Sequence, residues 1–93
     1  MTQLVRDAFC PIESITGVTA IDASADSIAV NGKAITFQCV SGNIWINPLT
    51  TAVADATAFK MTAGMALDLV VMGNLSIISD VTGGTYQKIV WKT

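Results

Sequence analysis

The chain has 93 residues, with five Lys/Arg, seven Asp/Glu and no histidine, and a mean hydropathy of +0.58. That length holds one domain around one core, and 52% hydrophobic against 13% charged residues is the reverse of a disordered composition. The net charge of −2, carried by scattered side chains, supplies no basic field for nucleic acid, so no nucleic-acid partner is expected.

Residues 1–17 show no period and are punctuated by Pro11 and Gly17, which reads as an N-terminal arm ahead of a domain over residues 18–93. The opening MTQLVRD lacks a basic stretch followed by an apolar run, so the chain is expected to remain in the cytosol where it is made, or to enter an assembly built there. From Val18 onward Thr, Val and Ile dominate and turn signals recur at short spacing, the texture of an all-β domain.

A strand is expected over residues 18–22 and a second over 27–30, ended by Asn31-Gly32, a strong hairpin signal. Ile35, Phe37 and Cys39 alternate with Thr36 and Gln38, Ser41-Gly42-Asn43 turns the chain, and Ile44-Trp45-Ile46 follows until Pro48 stops it. This predicts a hairpin over residues 34–47. Residues 50–58 (TTAVADATA) carry no usable period and read as a loop. Phe59 and Met61 alternate with Lys60, Ala63-Gly64 turns, and Leu67, Leu69 and Val71 alternate with Asp68. After Gly73-Asn74 comes a strand over 75–80, then Thr82-Gly83-Gly84 leads into a last strand over 85–92 in which Ile89 and Trp91 oppose Lys88 and Lys92. Seven to eight short antiparallel strands point to a small all-β sandwich of jelly-roll type. The longest uncharged stretch, residues 34–54, is broken by polar residues and Pro48, and no membrane partner is expected.

Several strands are apolar on both faces. Val70 and Met72 oppose Leu69 and Val71, Ile78 opposes Ile77, Val90 opposes Ile89, and Trp45 opposes Ile44 and Ile46. One face can be covered by the partner sheet and the other is left for a second chain. Trp45, Val70, Met72, Ile78, Tyr86 and Val90 are therefore the expected oligomer interface.

Catalytic chemistry is sparse. The absence of histidine removes the commonest general base and metal ligand, there is no Cys-x-x-Cys, and Gly32-Lys33 lacks the rest of a phosphate loop. Asp22, Ser24 and Asp26 occupy positions 1, 3 and 5 of a calcium loop, but Ser27 stands where glycine is required and Lys33 where glutamate is. Asp68 and Asp80 would form a carboxylate pair only if their strands faced each other. Cys10 and Cys39 read as reduced thiols, with Cys39 on the core face beside Ile35 and Phe37. No enzyme activity, metal or cofactor is expected. The second functional reading is a carbohydrate-binding module using Trp45 and Tyr86 as exposed aromatics, with Trp91 and the three phenylalanines in the core.

Residues 42–48 (GNIWINP), 58–69 (AFKMTAGMALDL), 74–77 (NLSI) and 83–91 (GGTYQKIVW) together resemble small β-sandwich virion proteins of tailed bacteriophages, over about residues 18–93. The shared layout is an aromatic strand ending in Asn-Pro, an Ala/Thr loop, a Phe strand, an Ala-Gly turn, a Leu-Asp-Leu strand and a last strand after Gly-Gly-Thr. The resemblance implies a structural role in the virion, as a head decoration, head fibre base, connector or tail appendage, in homo-oligomers such as trimers or rings. It also implies other capsid or tail proteins as partners and, for a protein touching the host, a surface glycan. An arm that docks on a neighbour would use Leu4, Val5, Phe9 and Ile12.

Overall fold

The computed structural model describes residues 11–92, and among them the chain forms eight strands and no helix. They are β1 (Ile12–Ile21), β2 (Asp26–Ala29), β3 (Ala34–Ser41), β4 (Asn43–Asn47), β5 (Phe59–Thr62), β6 (Ala66–Val70), β7 (Asn74–Ser79) and β8 (Gly84–Trp91). Sheet I has the order β1-β8-β3-β6 and sheet II the order β2-β7-β4-β5, with every pairing antiparallel. The pairs 1·8, 2·7, 3·6 and 4·5 are the rungs of one long hairpin whose tip is the β4–β5 loop. The added pairs 3·8 and 4·7 roll that hairpin into two packed sheets. This is a jelly roll, as the strand density leads one to expect.

The core lies between the sheets. Ile35, Phe37 and Cys39 of β3 and Tyr86 and Val90 of β8 meet Ile44 and Ile46 of β4, Met61 of β5 and Leu75 and Ile77 of β7, the period-2 residues of each strand. Phe37 and Tyr86 stack with ring centroids 5.1 Å apart. The one buried polar side chain among the described residues, Ser79, donates its hydroxyl to Asn43 O at 2.6 Å.

Three expectations are corrected. First, β1 begins at Ile12, so residues 12–17 belong to a strand and not to the arm. Its register shifts between Ile12 and Ser14 and between Thr16 and Thr19, and such bulges erase the period-2 signal by which the strand would have been read. Second, β3 and β4 do not form a hairpin. Ser41-Gly42-Asn43 carries the chain from sheet I to sheet II, as Asn31-Gly32 carries it from β2 to β3. The turn chemistry is as expected, with φ of 56° at Asn31 and 81° at Gly32, but a tight reversal does not determine which sheet receives the next strand.

The third correction is the face of β8. Tyr86 and Val90, expected on the outside, are buried in the core, at 5% and 4% exposure. Ile89 lies on the outer side, paired with Ile15 and Thr36. Lys88 falls between Tyr86 and Val90 on the inner side of the alternation. Next to the edge strand β1 it extends its ammonium to the Thr16 hydroxyl at 3.0 Å, so the stem packs while the charge escapes.

The β3–β4 and β7–β8 connections cross in contact. A Cβ at Gly42 would lie 2.5 Å from Gly83 O and 2.9 Å from Gly84 Cα, whereas Gly64, also at positive φ, has open space around it. Gly64→Ala is expected to cost about 1 kcal/mol of backbone strain, and Gly42→Ala about 3 kcal/mol because overpacking adds to that strain. Urea denaturation of both variants checks this, and equal losses would show that the crossing has slack.

Candidate interaction surface

The expected interface residues are dispersed by the fold. Tyr86 and Val90 are internal and cannot contribute to a surface. Trp45 and Ile78 pair directly on the outer face of sheet II, each half-buried, with the Lys60 ammonium 5.5 Å from the Trp45 ring. Val70 and Met72 are exposed at the far end of β6, 65% and 83%. Of the expected arm, Ile12 is the first residue of β1, paired with Trp91, while Leu4, Val5 and Phe9 lie outside the described residues.

Sheet II is partly covered from outside by its own loop. The Asn47 side-chain oxygen accepts the backbone N–H groups of Leu49 and Thr50 at 2.9 and 3.1 Å, an Asx turn that starts the loop. Ala52 then buries itself, its N–H donating to Ser76 Oγ at 2.9 Å. Beside the loop runs an open cleft of about 740 Å³ of mixed lining, bounded by Ser27, Leu49, Thr50, Asn74 and Ser76.

The outer face of sheet I has a different character. Ile12, Ile15 and Val70 stand 45%, 68% and 65% exposed on it, and an apolar groove of about 350 Å³ runs among Ile15, Thr36, Gln38, Ala66, Gln87 and Ile89. Its polar groups are joined to one another. Trp91 Nε1–H donates to Thr36 Oγ1 at 2.9 Å, the Thr36 hydroxyl donates to the Asp68 carboxylate, and Gln87 Nε2 donates to Gln38 Oε1 at 2.6 Å. At its margin Lys33 and Glu13 form an ion pair. Trp91 is buried although it lies outside the core cluster.

Sequence reading places Val70 of this surface outside but misses the rest, for two reasons. The β1 bulges hide Ile12 and Ile15, and Lys88 makes the Ile89 face of β8 look internal. The paired amides of Gln38 and Gln87 leave no sequence signal, because β3 and β8 are far apart in the chain.

The other candidate sites separate. Asp68 lies in sheet I and Asp80 follows β7 in sheet II, so they are not a carboxylate pair. Asp22 accepts the Ser24 N–H at 2.9 Å, and among the described residues no group of three or more His, Cys, Asp or Glu is placed to hold a metal ion. Cys39 is a buried free thiol, and desolvation raises its pKa, the condition of an unreactive structural cysteine. Thr82 and Thr57 donate hydroxyl hydrogen bonds to Asp80 and Asp55, lowering the pKa of each. Phe59, expected in the core, is 50% exposed, and Tyr86 is not available to pair with Trp45 as an aromatic platform.

Comparison with family models and with curated proteins gives no match to this sequence.

Burial, followed by the nearby Asp26 carboxylate, raises the Tyr86 pKa above the ordinary tyrosine value. The folded state therefore holds this proton more tightly than the unfolded state. Its stabilising effect is complete below pH about 10 and is lost as the pH rises through the raised pKa. Urea midpoints at pH 9 and pH 11 are expected to fall further for the wild type than for Tyr86→Phe; equal falls would show that Tyr86 ionises as freely in the fold as in the open chain.

Proposed function

We propose that this chain is a non-enzymatic structural component of a bacteriophage virion, a self-associating jelly roll that decorates or connects the head or tail. The observation that carries the self-association is the outer face of sheet I, which exposes Ile12, Ile15 and Val70 and holds an apolar groove lined by Ile15 and Ile89. Clustered aliphatic side chains with charges held toward the margin are the composition of an interface. The virion assignment rests on the layout of residues 18–93 and is compatible with the fold, since jelly rolls are used by capsid proteins. They are also used by lectins, so the fold alone does not choose.

Its partners on this reading are copies of itself, in a closed homo-oligomer, and other proteins of the capsid or tail. It is made in the host cytoplasm and resides in the virion. A glycan-binding module is the second reading. The observation favouring it is the cleft beside Leu49, whose lining includes Thr50 and Asn74, residue types that hydrogen-bond polyols.

Light scattering of the purified protein across a dilution series is expected to give a mass of at least two chains. Gradient-purified virions are expected to carry the chain in fixed stoichiometry with the major capsid or tail protein. A monomer at all concentrations, absent from purified particles and retained on a glycan array, would replace this reading with the second.

A further inference from the structure

We infer that the outer face of sheet I binds the same face of a second copy through a two-fold contact. The inference rests on the self-association proposed above and specifies its surface and symmetry.

Size is the first argument. Four strands spaced about 4.8 Å apart are about 19 Å wide, and eight residues at about 3.3 Å give about 26 Å of length. The flat footprint is therefore about 500 Å², and side-chain relief raises its accessible area toward the ~800 Å² per partner of a standard stable interface. Sheets also pack face to face on one another as a matter of course, about 10 Å apart. The outer face of sheet II is less suited to this, because the loop that buries Ala52 against Ser76 already occupies part of it.

Polar satisfaction is the second argument. A face built for a chemically different partner presents donors and acceptors awaiting their complement. Here the Trp91 indole, the Thr36 hydroxyl and the Asp68 carboxylate form one chain of hydrogen bonds, and Gln87 donates to Gln38. Each copy brings these groups already bonded to one another, and they flank the apolar area around Ile15, Ile89 and Val70. A second copy supplies the same.

Charge sets the orientation. Asp68 lies on the edge strand β6, opposite Thr36 of β3. A two-fold axis along the strands places β6 of each copy over β1 of the other. The two Asp68 carboxylates are then about three strand spacings apart, roughly 14 Å, beyond the ~8 Å over which physiological salt leaves such charges interacting. The contact closes on itself and gives pairs, not open chains.

The test is light scattering of the full chain carrying Ile15→Glu or Val70→Glu, with Leu49→Glu as a control outside this face. All three side chains are exposed, and near-UV circular dichroism verifies that each variant is folded. The wild type is expected to form a dimer or an even multiple, each face variant to weaken association by about tenfold or more, and Leu49→Glu to match the wild type. If the wild type associates and both face variants keep its mass, or if it forms a trimer alone, this inference fails while self-association stands. A wild type that is monomeric throughout removes both. One that associates only after residues 1–10 are deleted assigns the face to that segment and overturns the two-fold contact.

Discussion

The crossing of two chain connections is the constraint on which the rest of this structure depends. Ser41-Gly42 leads from β3 to β4 and Gly83-Gly84 leads into β8, and the two pass so closely that neither Gly42 nor Gly84 has room for a Cβ. A side chain at Gly84 would lie 2.7 Å from Ser41 O. This is where the rolled hairpin is pinned, since β3 and β8 pair in sheet I while β4 and β7 pair in sheet II directly beneath. Positive φ at Gly42 and Gly83 lets both connections turn sharply enough to change sheets at the same place. Ser79, buried just below, ties the crossing together by donating its hydroxyl to Asn43 O and its backbone N–H to Asp22 O.

The tight turns of this chain share that behaviour. Consecutive strands change sheet from β1 to β4, stay in sheet II across the long β4–β5 loop, and change again from β5 to β8. This explains what could be read in the sequence and what could not. Turns at Asn31-Gly32, Ala63-Gly64 and Gly73-Asn74, and alternation in β3, β4 and β7, are local properties of the chain and were legible. Strand partners are not local. The strongest hairpin dipeptide, Asn31-Gly32, does reverse the chain, with Lys33 N–H donating to Val30 O at 3.3 Å, yet β2 pairs with β7 and β3 with β8 and β6.

The candidate surface was less legible than the fold. On β6 the exposed Val70 opposes Leu69 as its place in the alternation implies, and that part of the surface was visible. On β8 the alternation itself was clear but its direction was not, because Lys88 sits on the inner side and escapes past an edge strand. A lysine next to an edge is therefore a weak marker of the solvent face. On β1 the two bulges break the period, so Ile12 and Ile15 could be recognised as neighbours of Ile89 and Trp91 only once the pairing with β8 was known.

The two outer faces of the sandwich differ in how their apolar side chains are used. Sheet II spends its outer apolar residues locally, setting Trp45 against Ile78 under Lys60 and folding the β4–β5 loop down onto Ser76. Sheet I has no such loop among the described residues, because its strands are joined through sheet II and the short turns leave no length to lie across it. Its outer Ile and Val side chains contribute little to the chain's own core and keep their transfer free energy for another surface. The polar spine from Trp91 through Thr36 to Asp68 holds that surface in one arrangement without adding groups that need a foreign complement. For the proposed self-association, strands already paired and polar groups already bonded would lower the conformational-entropy cost, since little would have to be ordered when two such faces met.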